Sequence, residues 1–307
     1  EKAVFNVTQV FIQNKLVHIN DILTQRYEEF AEIHENPEAI KAHRLQLGFT
    51  DLDSKTGGLK GGDLIVLAAR PAMGKTAFAL NLAQNVGLSG KNVAVFSLEM
   101  SKEQLTDRMI ASAMEINSWK LAKGELEDHE FAKIGEAMEK LSEANIYIDD
   151  SAGGSLTDLK SKCRRLKVES GLDLIIIDYL QLMSNGNSFN RVQEISEISR
   201  GLKQLARELN VPLIALSQLS RAVESRPDKR PIMSDLRESG AIEQDADMIL
   251  MMYREEYYDE FTEKKGITEI FMRKNRSGPI GTIELMFQKN NQKFVQIEKN
   301  IHEPEGY

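Results

Sequence analysis

The sequence predicts an α/β fold: a mainly parallel central sheet flanked by helices, with antiparallel strands at its C-terminal end. Three observations predict it. Apolar runs of strand length, such as Leu64–Ala68, Val93–Leu98 and Leu174–Ile177, are continuous rather than alternating, as in strands buried on both faces. Stretches with helical spacing separate these runs. Beyond residue 247 the helical patterns stop, and Met248–Met252, Thr268–Met272, Thr282–Phe287 and Phe294–Ile297 read as strands joined by short turns.

Taken in order, the first 47 residues differ from the rest. Asn20 or Asp21 can cap a helix over about 20–34, with Ile22, Leu23, Tyr27, Phe30 and Ile33 on one face, and Asn36-Pro37 breaks the pattern. Such a helix either packs on its own domain or docks on a neighbouring subunit. Residues 48–307 form the second region. After Leu64–Ala68 comes a helix over about 76–86, then the run 93–98. Ser101 and Gln104 have capping-box spacing and open a helical pattern toward Met114. Helical spacing returns around 131–141, Ile146–Ile148 is short and apolar, and 157–168 reads as a basic helix. Val192, Ile195, Ile198, Leu202, Leu205 and Leu209 mark a further amphipathic helix, directly followed by the run 211–216.

Length and composition set bounds. The 307 residues allow roughly two domains, or one large α/β domain with a tail. Lys and Arg number 39 against 47 Asp and Glu, a net charge of −8, which argues against a surface that neutralises nucleic acid everywhere but leaves room for a local basic groove. The lone cysteine, Cys163, excludes an intramolecular disulfide and a cysteine-built metal site, and fits a reducing compartment. No apolar run approaches membrane-spanning length, so no membrane partner is expected.

The strand at 64–68 runs into Ala69–Thr76 (ARPAMGKT), a phosphate-binding loop of the form G-x-x-x-x-G-K-[ST] with Ala69 at the first glycine position. Its context, a strand before and a helix after, is the one the chemistry requires: backbone N–H groups and the helix N-terminus surround phosphate. Gly74 permits close backbone approach, Lys75 supplies a point charge to the β and γ phosphates, and Thr76 offers a hydroxyl to Mg²⁺. A nucleotide site predicts further groups at the carboxyl ends of neighbouring parallel strands. Three are present: Glu99 after 93–98, Asp178 after 174–177, and Gln218 after 211–216. Asp178 fits a Walker B acid holding Mg²⁺ through water, Glu99 a group that orients or deprotonates the attacking water, and Gln218 a sensor of the γ-phosphate.

Late in the chain, Lys274 and Arg276 sit in a turn between expected strands 267–273 and 281–287, with Gly278-Pro279 at the bend. Either they are solvated cations or they form an arginine-finger pair. Because the helical half of the chain is expected between this hairpin and its own phosphate loop, a neighbour's loop is the easier target. The stretch 184–191 after Asp178 and the segment after Gln218 carry Arg191, Arg221, Arg226, Lys229, Arg230 and Arg237, with Phe189 their only aromatic residue; either they are solvated charged loops or they contact a nucleic-acid strand. That composition suits phosphate tracking on a single strand better than base reading.

Ala68–Thr76 (AARPAMGKT), Phe96–Met100 (FSLEM), Ile177–Met183 (IDYLQLM), Ala215–Leu219 (ALSQL), Ser234–Asp247 (SDLRESGAIEQDAD) and Lys274–Arg276 (KNR) together resemble, in order and spacing, the bacterial replicative DNA helicases of the DnaB family. The resemblance covers about residues 45–298, and it implies a RecA-like P-loop NTPase motor. It implies a homohexameric ring, in which hydrolysis of ATP or another NTP with Mg²⁺ between subunits drives 5′ to 3′ translocation on single-stranded DNA. In that family Ala72, Gly74, Lys75, Thr76 and Ala77 match the phosphate cradle, Glu99 the catalytic carboxylate, Asp178 the Walker B acid and Gln218 the γ-phosphate sensor. Arg108 matches an arginine near the site, and Lys274 and Arg276 the pair donated in trans. Arg237, Glu238 and Gly240 match the loop that holds the DNA backbone. The helix near residues 20–34 matches the linker helix that docks on the adjacent protomer.

The resemblance further implies a helicase loader and a primase as partners of the full-length protein, in a bacterial cytoplasm at replication forks. A chain that starts at Glu1 is then expected to lack the primase-binding N-terminal domain, residues 1–17 being its edge. The competing readings are a RecA-type DNA-dependent ATPase that acts in recombination or remodelling without unwinding, a small-molecule kinase, and a non-enzymatic assembly module. The Lys-x-Arg hairpin and the linker helix favour the helicase.

Overall fold

In the computed structural model the described residues are 16–36, 43–151, 155–178, 180, 191–236 and 240–297. Two compact units divide the chain, residues 1–43 and 44–307. The first contains helix α1 (Ile19–Glu35), begun by His18, whose ring accepts from the Asn20 amide, and carrying Asp21 in its first turn and His34 in its last. Both placements suit the helix dipole.

The second unit is built on one sheet of nine strands among the described residues: β1 (Leu64–Ala69), β2 (Val93–Ser97), β3 (Ile146–Asp149), β4 (Leu174–Asp178), β5 (Leu213–Gln218), β6 (Met248–Tyr253), β7 (Ile267–Asn275), β8 (Gly281–Gln288) and β9 (Lys293–Gln296). Their order across the sheet is β3-β2-β4-β5-β1-β6-β7-β8-β9. The first six are mutually parallel, and β7, β8 and β9 add antiparallel. This is the α/β fold the sequence predicts. The helices are α2 (Thr50–Thr56), α3 (Lys75–Leu88), α4 (Lys102–Met114), α5 (Ser118–Lys123), α6 (Asp128–Ser142), α7 (Leu156–Glu169), α8 (Arg191–Leu209) and the short α9 (Gly240–Asp245).

The continuous apolar runs have a simple cause. Successive side chains of a strand point to opposite faces, and here both faces are covered. Ile65 and Leu67 pack with Phe78 and Leu82 of α3 in one layer. Leu64, Val66 and Ala68 pack with Ile195, Ile198, Leu202 and Leu205 of α8 in the other. Each such fully buried aliphatic side chain contributes about 1.5–3 kcal/mol relative to exposure, so both layers are needed to hold β1 in the middle of the sheet. The capping box expected at Ser101 and Gln104 is present and starts α4.

Cys163 lies on α7 in the second layer, fully buried. Burial, aided by the Asp149 charge, pushes its thiol up to about 12. The thiolate is the reactive form, so the native protein should not react with a thiol reagent at pH 8 on a timescale of minutes, and should react once unfolded. Rapid labelling of the native chain would show that α7 does not seal this layer.

Candidate nucleotide site

The phosphate loop leaves β1 in the middle of the sheet. β1 and β5 are in parallel register with Ala69 opposite Gln218, and the Leu219 amide donates to the Ala69 carbonyl at 3.0 Å. Gln218 is therefore set beside the start of the loop by backbone pairing alone. Arg70 tightens the same junction: its guanidinium, almost fully buried, donates to the Leu219 carbonyl and to Glu224. It ties the loop to the segment that follows the expected sensor.

Two residues of the loop adopt left-handed backbone. Gly74, at φ 91°, is the N-cap of α3. The conformation calls for glycine, and a Cβ there would also press on the aromatic floor under the loop, 3.1 Å from Phe294 and 3.4 Å from Phe287. Ala72 holds φ 65° without being glycine, at a cost of about 1–2 kcal/mol for a side-chain-bearing residue. Strain of this kind persists where its surroundings over-determine it. Here the loop rests on Met73, itself buried, and on a floor in which Phe78, Phe287 and Phe294 make edge and stacked ring contacts.

Asp178 closes the underside of the site. It is buried at the end of β4; its Oδ2 accepts from the Thr76 hydroxyl at 2.6 Å, and its Oδ1 lies 3.7 Å from the Lys75 ammonium. That Oδ1 is fully buried and accepts no hydrogen bond from the described residues. Burial lowers the pKa of Lys75 against the opposing pull of Asp178 and Glu99. Burial also lowers that of Arg108, again opposed by Asp178 and Glu99. Glu99 itself is exposed, two residues beyond the end of β2 rather than at its last position. The buried Ser97 hydroxyl donates to the Met100 carbonyl at 2.7 Å and accepts from the Met100 amide. This short turn directs residue 99 into the cavity.

One open cavity of about 350 Å³ thus gathers Ala72, Gly74, Lys75, Thr76, Ala77, Glu99, Arg108 and Gln218; of the other residues expected at the nucleotide, Asp178 underlies it and Lys274 and Arg276 are not part of it. The structure adds residues that sequence reasoning missed. Arg254, just past the end of β6, is buried, lies 3.5 Å from the Ala72 carbonyl and stacks 4.8 Å over the Phe287 ring. Lys289 and Gln292 line the same cavity from the β8–β9 turn. The sequence shows only that Arg254 follows an apolar run; the parallel pairing of that run with β1 is what makes it a site residue.

Lys274 and Arg276 are not at this site. β7 runs through to Asn275, so Lys274 is its penultimate residue and only Arg276 lies in the turn. Asn275 pairs with Met248 at the start of β6, and the Arg276 amide donates to the Asp247 carbonyl. Because β6 is parallel to β1, the pair lies beside the entry of β1, while the phosphate loop leaves its exit, about 17 Å away at 3.3 Å per residue. The expectation that the pair cannot reach its own loop holds, but for a different reason. Only β6 separates β7 from β1; the obstacle is the opposite edge of the sheet, not an intervening helical half.

A second expectation is corrected. Arg226 forms a bidentate pair with the buried Asp235, and Arg230 bonds Glu255 and Glu269, while Lys229 lies over the Tyr258 ring. Arg226 and Arg230 thus neutralise their own subunit's carboxylates and are not free to track phosphate, whereas Arg221 of the same segment is exposed. Of the expected DNA loop, Gly240 opens α9 and is exposed; Arg237 and Glu238 lie outside the described residues, as do Phe189 and most of the loop after Asp178.

Residues 45–296 match the family model of the DnaB-like helicase C terminal domain. The chain belongs to that family. It is 50% identical over 304 residues to the replicative DNA helicase DnaC of Bacillus subtilis (strain 168), covering 98% of this chain and 66% of the relative. The chain therefore spans about two thirds of that protein's length. Among solved structures, an ATPase domain superposes with a TM-score of 0.87 at 43% identity, over 92% of this chain and all of that one. A DnaB-like replicative helicase, solved in a study of its interactions with primase, gives 0.84 at 42% identity, over 96% of this chain and 71% of that one. The DnaB-like fold is that of a nucleotide-binding ATPase domain, which agrees with the cavity. Among the described residues no helix is long and apolar enough to cross a membrane.

Proposed function

We propose that this DnaB-like chain is the motor of a replicative DNA helicase, in which ATP hydrolysis at the subunit interfaces of a homohexameric ring drives 5′ to 3′ movement on single-stranded DNA and unwinding of duplex. One observation supports the reading: the chain holds the phosphate loop at the exit of β1 and the Lys274–Arg276 pair beside its entry, at opposite ends of the parallel strands, which is the arrangement head-to-tail neighbours need to complete each other's sites. A RecA-type ATPase without unwinding shares the fold, but the relatives at 50% identity over nearly the whole chain are replicative helicases.

Each residue has a task in this reading. Backbone amides from Ala72 to Thr76, at the N-terminus of α3, receive the phosphates. Lys75 neutralises the β and γ phosphates. Thr76 and Asp178 are the pair that would hold Mg²⁺: both offer oxygen, and the unbonded, buried Oδ1 of Asp178 is a suitable hard acceptor. Mg²⁺ there would neutralise charge on the β and γ oxygens. Glu99, exposed in the cavity, accepts the proton of the attacking water, and Gln218 reads the γ-phosphate and transmits its loss to the segment that Arg70 anchors. Arg276 of the preceding subunit stabilises the charge that develops on the transferring group. Single-stranded DNA is held through Arg237, Glu238 and Gly240, helix α1 docks on the adjacent protomer, and the full-length protein works with a primase and a helicase loader.

The mass of the assembled protein tests this reading. With a non-hydrolysable ATP analogue and single-stranded DNA together, six copies should associate, and DNA affinity should fall steeply with salt because phosphate contacts dominate. A monomer under every condition, or a flat salt response, would contradict it.

A further inference from the structure

The finger pair does not float at its edge. The Lys274 ammonium donates to the Glu243 carbonyl at 2.5 Å and to that of Gln244 at 3.4 Å, and the Arg276 guanidinium donates to the Gln244 carbonyl at 2.6 Å. These carbonyls belong to the last turn of α9, where helix carbonyls lack internal partners and attract cations. The next residue beyond this turn that meets the pair is Asp247, whose two carboxylate oxygens divide their work. Oδ2 accepts from the Leu64 amide at 2.8 Å and from Lys203 at 2.5 Å. Oδ1 lies 3.4 Å from Arg276 Nη1. The carboxylate is mostly buried, whereas Arg276 is about half exposed. One side chain thus joins the first residue of β1, a lysine of α8 and the guanidinium of Arg276.

We propose that Asp247 is the positioning residue of the arginine given in trans. It fixes where Arg276 leaves its own subunit, and it acts on hydrolysis only through the neighbour's site. The inference rests on the reading of Arg276 as a trans finger. Its physical basis is that a half-exposed arginine loses rotamer freedom when it is held, and a partly buried carboxylate already anchored by Leu64 and Lys203 holds it without moving itself. The backbone bond from the Arg276 amide to the Asp247 carbonyl survives any side-chain change. The effect of a substitution therefore falls on the guanidinium rather than on the hairpin's path.

Asp247→Asn tests this. An amide oxygen can still accept from Leu64 and Lys203, while its NH₂ faces Arg276 and removes that acceptor. The expected result is a drop in kcat of about 10- to 100-fold, as for a catalytic group misplaced by a fraction of an ångström, with KM for ATP unchanged. The decisive readout is subunit mixing. A ring that combines Asp247→Asn with Lys75→Ala subunits presents unaltered fingers from the latter to intact phosphate loops of the former, so activity per Asp247→Asn subunit should rise.

If mixing restores activity for Arg276→Ala but not for Asp247→Asn, Asp247 acts inside its own subunit, through β1, and the proposal is overturned. Full kcat in Asp247→Asn alone overturns it equally. If neither variant is restored, it is the trans reading itself that has failed. Should Asp247→Asn not fold, Asp247→Glu, which keeps the charge for Lys203 but moves it by one methylene, enters the same assay with the same expected rescue.

Discussion

Arg276→Ala is expected to lower the maximal rate of ATP hydrolysis by about 10³-fold or more, while ATP binding changes by no more than a few-fold. The split follows from the geometry. Arg276 lines none of its own subunit's nucleotide cavity, so the residues that grip ground-state phosphates are all retained. What is lost is a cation that meets charge as it develops in the transition state, and an interaction made only there appears in kcat and not in affinity. The fold should hardly respond, because Arg276 is about half exposed and Asp247 keeps its bonds from the Leu64 amide and Lys203 when the guanidinium is removed. Steady-state hydrolysis measured beside equilibrium nucleotide binding checks both halves of this expectation. A variant that loses binding and turnover in parallel would show that Arg276 acts elsewhere.

Lys75→Ala has the opposite signature. It should abolish turnover, by at least about 10³-fold, and weaken nucleotide binding as well, because Lys75 meets the phosphates of the ground state as well as the transition state. The fold should survive. Burial lowers the pKa of Lys75, which means that the protein environment disfavours its charged form, and Asp178 keeps its bond from Thr76 when the ammonium is removed. Hydrolysis at saturating ATP, nucleotide binding and a thermal melt separate these effects. Turnover close to that of the parent chain would mean that the phosphates are bound somewhere other than this loop.

Much of the fold was legible because its signals are local. A strand covered on both faces must be apolar at every position, so Leu174–Asp178 announces itself and its terminal carboxylate. The loop Ala69–Thr76 carries its chemistry in consecutive residues, and Glu99 and Gln218 are found by asking what ends the neighbouring strands. What escaped depends on strand order, which no local pattern encodes. Arg254 follows β6 by a single residue and looks like part of a charged turn; it belongs to the nucleotide cavity only because β6 lies beside β1. Likewise Arg226 and Arg230 read as a basic track until Asp235, Glu255 and Glu269, up to 39 residues away in the chain, are folded against them. That Lys274 and Arg276 lie away from their own phosphate loop was expected from a wrong obstacle, and Lys274 was expected in the turn rather than in the strand; antiparallel addition of β7 puts the pair beside the start of β6, opposite the end that carries the loop.

The central claim, that each site is completed by the next subunit, is tested most directly by titrating Lys75→Ala protein into Arg276→Ala protein and following ATP hydrolysis on single-stranded DNA. Each variant alone should be inactive. In a mixed ring an intact phosphate loop from an Arg276→Ala subunit meets an intact finger from a Lys75→Ala subunit, so activity should rise from near zero, pass through a maximum at intermediate ratio and fall again. Activity that stays at zero across every ratio, in mixtures shown by mass to contain mixed rings, would contradict the account and place the finger in its own subunit or nowhere.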